Sequence, residues 1–164
     1  MSSMMTQVQE TFYVAPGDGK SYRAVPGEVI RRIAGLSETS GGYALYESVV
    51  APQSGPPLHT HHEDAEAFFI LEGIFQVQVG DRLLTMEPGA FVHIPKRTPH
   101  AFLNVGTLPG KMLVIFNPRD MDSFFADVEQ VFATGIPDKE TLMMAVGKHG
   151  AEVVGPPLSA NPAI

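Results

Sequence analysis

Three of the six histidines in this chain fall within four residues, at the head of the run HTHHEDAE that spans residues 59–66. His59 and His61 are two apart, so on an extended strand both rings project from one face. Glu66 is out of register with them by one residue, and a bulge in the polar stretch between would return it to that face. Two imidazoles and a carboxylate on one surface can hold a divalent metal ion and leave coordination positions open. The same residue types also form solvated surface pairs, and the local spacing does not choose between the two readings. Glu66 has two roles open to it, metal ligand or general base beside the metal. Glu63 and Asp64 read either as supporting acids or as a solvated bend.

A second segment, GDRLLTMEPGAFVHIPKRTPHAFLNVG (residues 80–106), supplies a further histidine under tight backbone control. Pro95 closes one strand and His100 opens the next, so a rigid turn fixes His100 relative to groups supplied from elsewhere. Strand signals surround both segments: EVIRRIAG, ALYESVVAP, AFFILEG, IFQVQVG, RLLTM, AFVHIP, HAFLNV and KMLVIFNP, separated by turns such as Glu72-Gly73, Gly80-Asp81 and Pro88-Gly89. TFYV near the start reads as a further short strand. Links this short predict an antiparallel meander or Greek key.

After Pro118 the pattern changes. Met121, Phe124, Phe125, Val128, Val131 and Phe132 recur at helical spacing, with Gly135 as a stop. A second helix follows, with Asp138 as its N-cap and Gly150 just past its end. The aromatic stripe on the first helix reads as a face docked on the β domain. The end, AEVVGPPLSANPAI, is a strand-like fragment and a loose tail.

The two histidine segments resemble the paired motifs of the cupin superfamily. The first motif, Gly-x5-His-x-His-x3,4-Glu-x6-Gly, maps onto His59, His61, Glu66 and Gly73; the second, Gly-x5-Pro-x-Gly-x2-His-x3-Asn, onto Gly89, Pro95, His100 and Asn104. Two turn positions depart: Gln53 stands at the leading glycine of the first motif, with Gly55 displaced by two, and Arg97 at the glycine of Pro-x-Gly. The resemblance implies a mainly β protein, an antiparallel jelly-roll or conical barrel, with the short C-terminal helices packed outside. It also implies one divalent ion (Fe, Mn, Ni, Co, Cu or Zn) held by His59, His61, Glu66 and His100. Three neutral imidazoles and one carboxylate leave such a site net positive, suited to an enolate or carboxylate. The segments LEG, GDRLL and VVGPPL are most similar to single-domain cupins of the quercetin 2,3-dioxygenase-like group. That likeness implies a dioxygenase acting on a small flavonol- or catechol-like substrate with dioxygen, with Glu66 as the catalytic proton acceptor. A lyase, isomerase or hydrolase using the ion as Lewis acid, and a non-catalytic binding protein, are the other readings.

Composition bounds the rest. With 164 residues and 44% hydrophobic content the expectation is one domain over 1–164: N-terminal strands to residue 42, a motif core over 43–117, and a helical extension and tail over 118–164. A formal charge of −7 with no basic stripe argues against nucleic acid or an anionic membrane as partner. Cysteine is absent, and the first residues show no secretory signal, so a cytoplasmic protein is expected. Exposed sheet edges, and the habit of the superfamily, suggest a homodimer. Of the remaining histidines, His62 should point away from the pair, His93 should be hydrogen-bonded in a core or interface, and His149 should end the second helix. Phe68, Phe75, Phe102 and Phe116 are expected to line the barrel interior.

Overall fold

Alternation of apolar and polar residues predicts half-buried strands, and the computed structural model, which describes residues 10–159, realises it. In β2 (Glu28–Ala34) and β3 (Ala44–Val50) the inward parity carries Ile30, Tyr46 and Val50, all 2% exposed or less. The other strands are β1 (Ser21–Tyr22), β4 (Pro57–His61), β5 (Ala65–Glu72), β6 (Phe75–Val79), β7 (Arg82–Met86), β8 (Phe91–Ile94), β9 (His100–Asn104), β10 (Gly110–Asn117) and β11 (Ala151–Pro157). TFYV, expected as a strand, forms none. Residues 1–9 of the expected N-terminal region and 160–164 of the expected tail lie outside the described residues.

All pairings are antiparallel, in two sheets ordered β1-β2-β3-β10-β5-β8 and β11-β4-β9-β6-β7. Between β3 and β10 only β6–β7 is a local hairpin; every other link carries the chain from one sheet to the other. In a meander, one of the two expected arrangements, short links make neighbours in sequence into neighbours in a sheet. Here most of them cross the gap of about 10 Å between the two facing sheets instead. The result is a jelly roll of two packed sheets, the Greek-key alternative of the two that the turns allowed. Phe68, Phe75, Phe102 and Phe116 are buried between the sheets, as expected, in edge-to-face contacts such as Phe68–Phe102 at 5.6 Å between ring centroids.

Two helices follow, α1 (Asp122–Phe132) and α2 (Lys139–Gly147). The Asp138 carboxylate accepts from the Thr141 amide at 2.8 Å, the predicted cap, and Gly150 takes a positive φ just beyond α2. α1 is anchored at its start: the Tyr46 hydroxyl accepts from the Met121 amide, and Arg32 and Tyr22 both donate to the Asp122 carboxylate. Its stripe drives Phe125 into the main core against Tyr46 and Phe116. The helices pack outside the sheets and cover one end of the jelly roll. The strand-like C-terminal fragment becomes β11, pairing with β4 in the register Ala151↔His61 and Val153↔His59. Gly155, Pro156 and Pro157 are tolerated because β11 is an edge strand.

The two motif departures have a physical reading. Gly73 and Gly89 adopt positive φ, and so do Gln53 (φ 57°) and Arg97 (φ 63°), which replace the other two motif glycines. The turns keep their shape and non-glycine residues bear the strain. Gln53 is exposed and its amide donates to the Asn104 carbonyl at 2.9 Å, a bond glycine retains. Gln53→Gly therefore stabilises the protein by about 0.5–1 kcal/mol in chemical denaturation, the left-handed penalty removed less the entropy glycine adds. A loss of stability would show that the Gln53 side chain, not the backbone, matters there.

Candidate metal centre

β4 supplies His59 and His61 from one face, as their spacing requires, and β9 begins with His100 directly opposite His59 in the ladder. Glu66 arrives differently from the expectation. No bulge restores it to the histidine face; the chain leaves the five-stranded sheet after His61, bends through residues 62–64, and enters β5 of the facing sheet. Strand parity stops at that corner, so the carboxylate reaches the three imidazoles from across the jelly roll. One donor atom from each of His59, His61, Glu66 and His100 lies within 4.8 Å of all the others. His61, Glu66 and His100 are buried, and His59 is half-buried.

Hydrogen bonding orients two of the rings. Nδ1 of His59 lies 2.8 Å from the Pro57 carbonyl, and Nδ1 of His100 lies 2.8 Å from the Thr98 carbonyl. A carbonyl oxygen only accepts, so each Nδ1 carries the hydrogen and each Nε2 presents a lone pair. Nε2 of His100 then sits 2.7 Å from Oε2 of Glu66, and Nε2 of His61 sits 3.4 Å from the same oxygen. A neutral imidazole lone pair and a carboxylate are both acceptors, so a proton or a cation must lie between them. Nδ1 of His61 is buried without a partner, so that ring lacks the brace the other two have.

Electrostatics agree. Burial first, and the adjacent imidazoles second, push His59 down to about 3, which leaves it neutral and free to ligate. Burial works against the charge on Glu66, but His100 and His61 outweigh it and hold the carboxyl ionised below its usual range. His100 is correspondingly raised, burial being overcome by Glu66. No lysine or arginine is paired with Glu66 among the described residues. Three nitrogen donors and one buried, ionised oxygen donor converging within 4.8 Å fit a divalent ion of the first transition series or zinc.

The cluster borders a cavity of about 70 Å³, which His59, His61 and Glu66 help to line. Phe102 and Phe116 form its inner wall, and Phe124, Phe125 and Phe132 of α1 close it from above. The Phe124 ring meets His61 edge-on at 5.8 Å. Helix stripe and barrel aromatics are thus both packing and cavity wall.

Of the residues that support the cluster, Asp64 and Asn104 were named in the sequence, and Arg119 was not. Asp64 is no solvated bend residue: its side chain is 0% exposed and Arg119 grips both of its oxygens, Nε at 2.8 Å from Oδ1, while also donating to the His149 carbonyl. This clamp joins the corner between His61 and Glu66 to the helical extension, and 55 residues separate its partners, so no local pattern announces it. Glu63 by contrast is exposed. Arg119→Ala leaves a buried carboxylate unpaired and lowers stability by about 3 kcal/mol at neutral pH, and adding Asp64→Asn recovers part of the loss in urea unfolding. Asn104, the last residue of the second motif, is fully buried and ties its turn together through the Val50 and Leu108 carbonyls and the Gly106 amide. His62 is exposed as expected, and His149 bonds Asp127 of α1 from just past α2. His93 is not a core residue, the first of the two places expected for it: it is exposed on the edge strand β8 with the outward parity of a two-faced strand, and it takes no part in the cluster.

Among the described residues no helix is long and apolar enough to cross a membrane. The family model described as Cupin domain matches residues 46–116, the span that holds all four cluster residues. An uncharacterized protein of Methanocaldococcus jannaschii is 30% identical over 100 residues, covering 60% of this chain and 80% of its own. Quercetin 2,3-dioxygenase of Bacillus subtilis is 25% identical over 108 residues; the match covers 65% of this chain but only 32% of that enzyme. An RmlC-like cupin from Shewanella frigidimarina shares the fold at a TM-score of 0.57 with 14% identity, over 70% of this chain and 96% of that one. Paired motifs, jelly-roll topology and these matches agree, and the chain belongs to the cupin superfamily.

Proposed function

We propose that this chain is a metal-dependent dioxygenase acting on a small enolic or aromatic substrate of the flavonol or catechol type. The observation that carries the reading is the position of the three-imidazole, one-carboxylate cluster at the wall of an aromatic-lined cavity. The partial match to quercetin 2,3-dioxygenase supports the substrate class. His59, His61, Glu66 and His100 would hold a divalent ion, which would supply a Lewis acid and, if redox-active, a path for electrons from the substrate to dioxygen.

The protein's own groups do the rest. His59 and His100, pinned through Nδ1, keep their Nε2 atoms aimed at a common point without reorganisation. Glu66, buried at the cluster, is the carboxylate placed to accept the substrate's hydroxyl proton as the enol becomes its enolate. Phe102, Phe116 and Phe124 hold a flat ring against the cluster and keep water from it.

The test is oxygen uptake by protein reconstituted separately with Fe, Mn, Co, Ni, Cu and Zn, against flavonols, catechols and β-diketones. Metal-dependent uptake with at least one redox-active ion, coupled to substrate loss, is the expected result. Turnover that persists anaerobically or with zinc replaces this reading by Lewis-acid chemistry at the same cluster. Ligand-induced stabilisation with no turnover replaces it by a binding function.

A further inference from the structure

The same cavity holds a second carboxyl group that the metal cluster does not use. Glu28 opens β2 with the inward parity of Ile30, is 7% exposed, and lines the cavity together with Glu66. Its Oε1 accepts from the Ser48 hydroxyl on the neighbouring strand at 2.5 Å. Among the described residues Glu28 has no basic partner, and no other hydrogen bond reaches its side chain. An acid in that position would be costly as an anion. Burial first, and the nearby charge of Glu66 in addition, push it up to about 7 against the pull of Ser48. With Oε1 engaged as an acceptor, the acid's hydrogen belongs on Oε2.

Apart from Glu28, the polar groups lining the cavity are the ligands His59, His61 and Glu66, and Glu152, whose side chain is half-exposed. An aromatic substrate held at the cluster through one oxygen therefore finds, among the lining side chains that do not belong to the cluster, one buried acid able to donate a hydrogen bond. We infer that Glu28 is a specificity-determining residue, an acid steadied by Ser48 that donates a hydrogen bond to a second oxygen substituent of an aromatic substrate bound at the cluster. The inference rests on the metal-cupin reading above and narrows its substrate class to polyoxygenated aromatics.

The test uses full-length, metal-reconstituted protein and two probes followed by visible absorbance: quercetin, and 3-hydroxyflavone, which keeps the chelating hydroxyl-ketone pair but lacks the other hydroxyls. Glu28→Leu removes the donor, and Glu28→Gln keeps one at nearly the same place. Metal content and melting temperature are read on every variant. The expected result is quercetin binding weakened about tenfold in Glu28→Leu, largely restored in Glu28→Gln, with 3-hydroxyflavone changed less than twofold and metal content constant. Equal quercetin binding in the two variants, or an equal loss for both flavonols, overturns the role of Glu28 and leaves the metal-cupin reading standing. Failure of metal-loaded wild-type protein to bind either probe overturns the flavonol-type substrate and the role of Glu28 with it, whereas failure to take up metal overturns the metal-cupin reading itself. A melting temperature that collapses only in Glu28→Leu moves the comparison to wild type against Glu28→Gln. There the expected result is retained binding of both probes, and loss of quercetin alone overturns the donor role.

Discussion

Metal-free protein titrated with a divalent ion melts roughly 10 °C higher once the ion is a thousandfold above its dissociation constant, and His100→Ala shows no such rise. The shift follows from linkage: an ion that binds only the folded chain at that excess contributes about 4 kcal/mol, and a domain of this size gains about 2–4 °C for each kcal/mol. His100 is the informative position because its Nε2 approaches the Glu66 carboxylate at 2.7 Å while its Nδ1 is committed to the Thr98 carbonyl. Removing the ring takes away a donor and opens the carboxylate to water. Glu66→Gln keeps the shape but removes the one negative charge of the ligand set. It should weaken binding by at least about 100-fold, the upper end of what losing a ligand's hydrogen-bond partner costs. Metal content by mass spectrometry and differential scanning calorimetry check both variants. A full thermal shift in His100→Ala would remove the four-residue cluster as the binding site.

The second large effect is a reversal of the usual pH dependence at Glu28. In the unfolded chain this carboxyl releases its proton near 4.5, and in the folded protein it keeps it to about 7, because burial penalises the anion. A raised folded pKa contributes stability that is complete below 4.5 and is lost as pH climbs to about 7. At 1.36 kcal/mol per pH unit the loss amounts to about 3 kcal/mol above pH 7. Glutamine cannot ionise, so metal-free Glu28→Gln gains roughly 3 kcal/mol on wild type between pH 4 and pH 8. Urea unfolding at the two pH values measures the difference directly, since all other titrating groups are shared. Parallel pH curves for the two proteins would mean that Glu28 ionises in the fold as easily as in the unfolded chain.

Which parts of this were legible beforehand depends on the range of the interactions concerned. Strand positions were read closely: RLLTM is β7 residue for residue, and HAFLNV contains all of β9. The Asp138 cap and the buried stripe of α1 were legible too, since both are set within one or two helical turns. Glu28 offered a signal in the sequence, an acid at the same parity as Ile30 and Ala34 of its strand. Register beyond a turn was not legible. The expected bulge before Glu66 assumed that residues 59–66 stay in one sheet, whereas the chain changes sheets at residues 62–64. His93 was judged by its apolar neighbours, but it lies on an edge strand whose outer face meets solvent.

The sequence by itself determined the superfamily, the four ligand-type residues and the strand-rich fold, because motif spacing and period-two alternation are local properties of the chain. Only the tertiary structure decided that three imidazoles and one carboxylate meet from opposite sheets, that α1 roofs the cavity beside them, and that the last strand braces the one bearing His59 and His61. Those outcomes depend on which sheet each short link delivers the next strand to, and that is settled by the packing of the whole core. The Asp64–Arg119 clamp and the Glu28 acid belong to the same class. Their chemistry comes from burial, and burial exists only once residues distant in sequence have closed around them.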